Sequence, residues 1–300
     1  MISIATLLTC HNRCDKTVHC LRSLKEALLA YNDQHEEKIK LEVYLTDDGC
    51  TDGTADAARE VFPDNKALHI LQGDGNLYWA GGMRFCWCEA MKRHLEWDYY
   101  LLINDDTEMF PILFDELLEA ESYSLITYNK YGIISGECCS STNHDVLTYG
   151  GHVFTNRFLG RVKHVWSEEK PVMCDTVNAN VLLVPVSVVD IIGMFYKRYS
   201  HSYADYDYAF TARRKGIPVL LTSSICAACD YDHYDEKQRN ALKLLKMTVA
   251  ERKAYYKHPL HSLKDGLRYN WRITPFKTPG VVILNVLRVY FPGVYYKVHG

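Results

Sequence analysis

Residues 99–108 read YYLLINDDTE. A short apolar run, Tyr100 to Ile103, stops at an amide and two adjacent carboxylates, Asn104, Asp105 and Asp106, followed by Thr107. A strand buried in a parallel sheet reads as such an unbroken apolar run, and the ligands of open α/β sheets sit just beyond the carboxyl ends of those strands. Two acids at that edge suit a hard divalent cation, Mg or Mn, which takes one or two carboxylates and completes its shell with substrate phosphates. A polar strand-to-loop turn uses the same residues. The flanking chain therefore has to decide.

It repeats the pattern. Ile2 to Leu8 is an apolar run ending in Thr9-Cys10-His11-Asn12-Arg13, and Val18, Leu21, Leu24 and Leu28 follow at helical spacing to about Tyr31. A second run, Leu41 to Leu45, ends in TDDGCTDGT (46–54), where Asp47 and Asp48 precede the turn and Thr51 and Asp52 read as helix caps. A third, Leu68 to Leu71, leads into GDGNLYWAGGMR (73–84), whose glycines stand ahead of a helix predicted to run to about His94. Glycines there let the backbone approach a ligand, and the first amides of the helix favour an anion. Trp79 and Tyr78 are candidates to stack on a sugar or nucleobase and equally for buried anchors. Four strand–helix alternations by residue 103 predict an α/β fold with a Rossmann-like, mainly parallel sheet and helices on both faces.

The second half changes character. Short β-like pieces (Gly132–Gly136, Val146–Phe154, Val172–Thr176) precede an apolar strand over Val177–Val184 interrupted by Asn178 and Asn180, which suggests antiparallel additions around an acceptor pocket. A helix beginning near Tyr203 carries Asp205 and Asp207 and closes on Arg213, Arg214, Lys215 and Gly216, basic residues in the last turn as the helix dipole favours. Ile217–Leu221 is another buried strand, leading to a loop with Asp230 and His233. From Glu236 onward Lys, Arg and aromatic residues at helical spacing predict a helical tail. Its apolar stretch Val281–Tyr296 fits first a helix covering the core, with a membrane face or a homodimer contact as other uses of the same surface.

Composition narrows the function classes. A net charge of −3 over 300 residues leaves no basic footprint for nucleic acid, and the length suits one catalytic unit with an appendage. The 11 cysteines, spread over apolar segments, read as free and mostly buried thiols of a reducing cytosol. No stretch reaches the roughly 18 apolar residues of a bilayer span, and the N-terminal run reads as a first strand rather than a signal peptide. These points predict a cytoplasmic protein, at most peripheral at the inner face of the cell membrane.

In order and content the motifs resemble inverting glycosyltransferases of family 2, which have the GT-A fold, and especially their rhamnosyltransferase-like bacterial members. The resemblance is carried by TCHNR (9–13), DDGCTDGT (47–54), GNLYWAGGMR (75–84), LLINDDT (101–107), VNANVLLVP (177–185) and YADYDYAFTARRKG (203–216). It implies a GT-A domain over 1–235, with a nucleotide-sugar half to about 107 and an acceptor half from 108, and a helical tail over 236–300. It further implies metal-assisted single displacement of a hexosyl or deoxyhexosyl group from a nucleotide-diphosphate sugar, UDP- or dTDP-linked by preference. The acceptor would be a hydroxyl of a saccharide or lipid-linked saccharide, in cell-surface polysaccharide synthesis.

Residue by residue, the resemblance implies that Asp48 with Asp47, Thr9 and Arg13 lines the nucleotide pocket, and that Asn76, Gly81, Gly82 and Arg84 border the donor ribose and diphosphate. Asn104 and Asp105 would contact the donor, and Asp106, last in the family's DXD position, would bind Mg or Mn, with His233 a further metal ligand. Asn178, Asn180 and Trp79 would touch acceptor or donor sugar. Asp205 would be the catalytic base, with Asp207 the fallback, and Ala204 stands where a Glu is usual. Two other readings share part of this pattern. A sugar-1-phosphate nucleotidyltransferase needs a glycine-rich loop with a basic residue after the first strand, and TCHNR has no glycine. An inert nucleotide-sugar or glycan-binding module has no need of Asp48, Asp106 and Asp205 together.

Overall fold

The computed structural model describes residues 1–64, 66–166, 169–231 and 243–299. The first hundred residues alternate as expected: β1 (Ile2–Cys10), α1 (Cys14–Gln34), β2 (Ile39–Asp47), α2 (Thr54–Val61), β3 (Leu68–Gln72), α3 (Tyr78–Ala90) and β4 (Tyr99–Ile103). There follow β5 (Glu108–Met109), α4 (Leu113–Tyr128), β6 (Ile133–Cys139), β7 (Leu147–Tyr149), β8 (Gly151–Asn156), β9 (Arg161–Val165), β10 (Val172–Met173), β11 (Thr176–Val177) and β12 (Val181–Pro185). Then come α5 (Val186–Ile192), α6 (Ala204–Arg214) and β13 (Val219–Ala228). The tail contributes α7 (Val249–Tyr255), α8 (Leu263–Ile273), α9 (Thr278–Tyr290) and α10 (Pro292–His299).

The main sheet runs β3-β2-β1-β4-β12-β6-β13-β10, with β5 on β13 and β7 on β6. Strands β3, β2, β1 and β4 are parallel; β12 runs antiparallel between β4 and β6, and β13 is parallel to β6. The second half therefore does more than add antiparallel pieces, because β6 and β13 rejoin the parallel set across β12. A smaller antiparallel sheet, β11-β8-β9, sits apart from it.

The period of two along β1 explains why helices cover both faces. Ile4 and Leu8 join a core with Leu21 and Leu24 of α1 and Phe114 and Leu117 of α4, whereas Ala5 and Leu7 join a second core with Met83 and Trp87 of α3 and Tyr208 of α6. Each fully buried Leu contributes about 1.5–3 kcal/mol. All 11 cysteines are free and eight of them buried, Cys226 and Cys229 with their CxxC spacing among these.

Two expected elements shift. The segment Val177–Val184 is not one strand: β11 ends at Val177 and β12 begins at Val181. The reason lies in the two amides between them, since Asn178 Nδ2 donates to Tyr206 Oη (3.0 Å) and Asn180 Nδ2 to Cys229 Sγ (3.2 Å). Helix α3 starts before Gly81 and Gly82 instead of after them, because the Asp48 carboxylate accepts the amides of Gly75, Leu77 and Tyr78 and so starts the helix early. The tail is helical as predicted, and among the described residues no helix is long and apolar enough to cross a membrane.

Candidate active site

The carboxyl end of β4 and the amino end of β12 meet where Asn104 N–H donates to the Asn180 carbonyl (3.2 Å). This register brings the 104–106 tip, the 178–180 turn and the start of α6 around one cavity of about 380 Å³. Arg13, Trp79, Asn104, Asp105, Asp106, Asn178, Asn180 and Asp205 all line it. Eight of the residues singled out in the sequence, drawn from five separated segments, thus share one site.

Each is held by a definable contact. Arg13, the residue before α1, donates to Asp105 Oδ1 (2.9 Å) and Asp106 Oδ2 (2.5 Å), so one guanidinium spans both acids. Asp105 is 5% exposed and its Oδ2 has no hydrogen-bond partner among the described residues. Burial pushes its carboxyl up to about 7, against the pull of Arg13 and with a further push from Asp106. Asp106 is more open, with the Cys229 thiol 3.7 Å from Oδ1. The Trp79 indole N–H donates to Asn104 Oδ1 (2.7 Å), so Trp79 orients the amide in front of the two acids.

Also lining the cavity, Asp205 lies in the first turn of α6. Its oxygens accept the amides of Tyr206 (2.9 Å) and Ala179 (3.3 Å), which fix the side chain and link it to the 178–180 turn. Burial raises its carboxyl to about 6, with those two amides working in the opposite direction. A carboxylate so poised is half protonated near pH 6 and free to accept a proton at neutrality. Tyr203, just ahead of the helix, holds φ +73°, a conformation uncommon for a non-glycine residue, and its ring stacks on Tyr269 of α8 (5.0 Å). Ala204, where the resembling enzymes carry Glu, is fully buried in the core.

Several expected site residues stand elsewhere. Asp207, the fallback base, is 2% exposed and bound bidentately by Arg272 of α8 (2.7 and 3.0 Å), which removes it from proton transfer. Asp47 accepts from Cys50 N–H (2.7 Å) and Gln72 Nε2 (3.2 Å), and Asp48 is occupied by the three loop amides already described; both are buried and outside the cavity. Gly82 packs on β1, where a Cβ would lie 2.1 Å from Thr9 Oγ1, so close packing by itself requires glycine there. Gly81 sits one residue before it in the same turn of α3. Arg84 donates to the Tyr199 carbonyl (2.8 Å), and Asn76 folds back on Asp74 in an exposed loop. His233 lies outside the described residues. Sequence reading missed Tyr206, Cys229 and His201 on the cavity wall. Only Tyr206 left a signal, by adjoining Asp205.

Among the described residues no three His, Cys, Asp or Glu side chains converge on one point. The chemistry of the donor set nevertheless suits a cation of the Mg or Mn kind, for which Asp106 on the cavity wall would supply a carboxylate oxygen and substrate phosphates much of the rest of the shell.

Residues 6–132 match the family model for glycosyl transferase family 2. The matched segment ends just before β6 and includes the Asn104–Asp106 tip. Solved structures extend the likeness over the whole chain. The mannosyltransferase PcManGT from Pyrobaculum calidifontis, in complex with GDP-Man and Mn2+, is 14% identical with TM-score 0.51, covering 99% of this chain and 75% of that one. TarS 1-349 of S. aureus is 14% identical with TM-score 0.51, covering 97% and 81%. The fold is GT-A. TarS 1-349 in complex with UDP gives the same result at 11% identity and TM-score 0.52, covering 100% and 75%. Among curated proteins none matches this sequence. The β1–β4 half carries the acidic tip, and Asp205, at the start of α6 in the second half, lines the same cavity.

Proposed function

We propose that this protein is an inverting glycosyltransferase that moves a hexosyl or deoxyhexosyl group from a nucleotide-diphosphate sugar to a hydroxyl of a saccharide or lipid-linked saccharide. The observation that carries the reading is that Asp205 and the Arg13–Asp105–Asp106 cluster line one cavity of a GT-A fold. Inversion by single displacement needs a base at the acceptor oxygen and compensation for charge developing on the departing diphosphate, on opposite sides of the reacting carbon. Asp205 supplies the first. The Ala179 and Tyr206 amides hold its carboxylate at the cavity wall, where it would accept the proton of the attacking hydroxyl.

Arg13 supplies part of the second, bringing a guanidinium suited to diphosphate oxygens to the same edge as Asp106. A divalent cation held at Asp106 would neutralise negative charge on the leaving group. Two of the similar structures contain, by their descriptions, GDP-Man with Mn2+ and UDP, which favours a nucleotide-bearing donor and a metal here.

The test is turnover of a UDP-, dTDP- and GDP-sugar panel with Mn, read as nucleoside diphosphate released. Asp205→Asn is expected to lower kcat by about 10²–10⁴ while leaving nucleotide binding intact. The wild-type rate should rise with pH through about 6, where Asp205 gives up its proton, and level off above it. Full turnover in Asp205→Asn, or a profile with no acidic limb, would remove Asp205 from the chemistry.

A further inference from the structure

Helix α9 reads TPGVVILNVLRVY, apolar on nearly every side. Its inner face, Val281, Leu284, Asn285 and Arg288 at i, i+3, i+4 and i+7, lines a cavity of about 560 Å³ that reaches Tyr203 at the start of α6. Arg252 of α7 anchors its far end by donating to the Val289 carbonyl (2.6 Å). Among the described residues the outer face has no such partner. Val282 and Val286 are exposed and Ile283 is 62% exposed. A helix apolar all round is found buried or in contact with lipid, and this one is not buried.

The surface continues past the helix. Phe276, just before α9 and 74% exposed, packs its ring against Phe158 (5.2 Å), which is 66% exposed at the tip between β8 and β9. Phe291 extends the apolar surface beyond the other end. Charge then selects the partner. Residues 243–299 carry eleven Lys and Arg against two acids, Glu251 and Asp265, whereas the rest of the chain holds 23 against 35. In a protein that is acidic overall, the segment carrying α9 is the one with a net positive charge, although Arg252 is buried and Arg272 is paired with Asp207. A second copy of the same basic segment would be repelled; an anionic lipid surface would be attracted.

We propose that the outer face of α9, with Phe276 and Phe158 beside it, docks on the surface of an anionic bilayer. At 13 residues α9 is about 20 Å long, short of the roughly 30 Å hydrocarbon core, so it lies in the interface plane instead of spanning. Since the same helix walls the cavity reaching Tyr203, docking places that cavity beside the membrane. The inference goes beyond the glycosyltransferase reading and does not need it.

The test mixes the intact protein with vesicles of phosphatidylglycerol and phosphatidylcholine, or of phosphatidylcholine alone, and sediments them. The protein should pellet with the anionic vesicles, less so as salt is raised, and stay in solution with the neutral ones. Ile283→Asp/Val286→Asp, at exposed positions, should lower vesicle partitioning roughly tenfold or more with an unchanged melting transition. No pelleting with anionic vesicles, or a double variant that pellets like wild type, overturns the proposal. So does a wild-type dimer that the double substitution converts to monomer, which would assign the face to a second copy. Pelleting without binding of any nucleotide would leave the docking in place and remove the glycosyltransferase reading.

Discussion

Glu121 shows at the scale of one residue how burial sets a pH dependence. It lies in α4, 2% exposed, with the Gly132 amide 3.3 Å from Oε2 and no partner for Oε1 among the described residues. Burial pushes its carboxyl up to about 7. The folded state therefore holds a proton that the unfolded chain has lost, and stability falls as pH rises from the ordinary carboxylate range through about 7. Glu121→Gln should abolish that loss, leaving the variant less sensitive to pH by on the order of 3 kcal/mol between pH 4 and pH 8 in chemical denaturation. Asp205, only partly buried and on the cavity wall, has its carboxyl raised by the same physics, which suits the base proposed there. Both aspartates were legible in YADYDYAF, and the resemblance put Asp205 ahead of Asp207; what separates their surroundings came only from the fold. Position in a helix turn separates them, Asp205 toward Ala179 and Asp207 toward Arg272.

At the scale of elements, α3 on β1 shows why glycine patterns mislead. AGG in residues 80–82 reads as a ligand loop, and the structure spends Gly82 on letting a helix approach a strand. Thr46 Oγ1 donates to the Gly82 carbonyl (2.8 Å), which holds the approach from a second strand. Gly82→Ala should destabilise the protein by about 1–3 kcal/mol through overpacking, and Thr9→Ala in the same chain should recover part of it by removing the nearest atoms. Recovery is read as a shift in the denaturation midpoint of the double variant. The acids after β2 follow the same logic: a carboxylate that can satisfy several backbone amides of its own loop is drawn to them first. No local pattern distinguishes such a carboxylate from one that waits for a ligand.

Across the whole molecule, the ties of the tail to the GT-A domain include, among the described residues, the Arg272–Asp207 ion pair, the Tyr203–Tyr269 stack and the hydrogen bonds of Arg157 to the Ile273 carbonyl and of Ser200 N–H to Asp265. Arg272→Met strands a buried carboxylate and should cost about 3–5 kcal/mol, the loss shrinking at low pH as Asp207 takes up a proton. Chemical denaturation at two pH values checks both parts. The sequence by itself determined the parallel α/β core, the acidic tip after β4, the Asp-rich start of α6 and the helical character of the tail. It could do so because apolar period, helix-stop residues and acids at strand ends are local, each written within about ten residues. The insertion of β12 between β4 and β6 was decided only by tertiary structure, as was the return of β6 and β13 to the parallel set. So was the division of the candidate residues into those that line the cavity and those consumed by packing and loop amides. Both depend on partners far apart in the chain, Asn104 with Asn180, Arg13 with Asp106, Asp207 with Arg272, and a carboxylate's role is fixed by which of these it reaches.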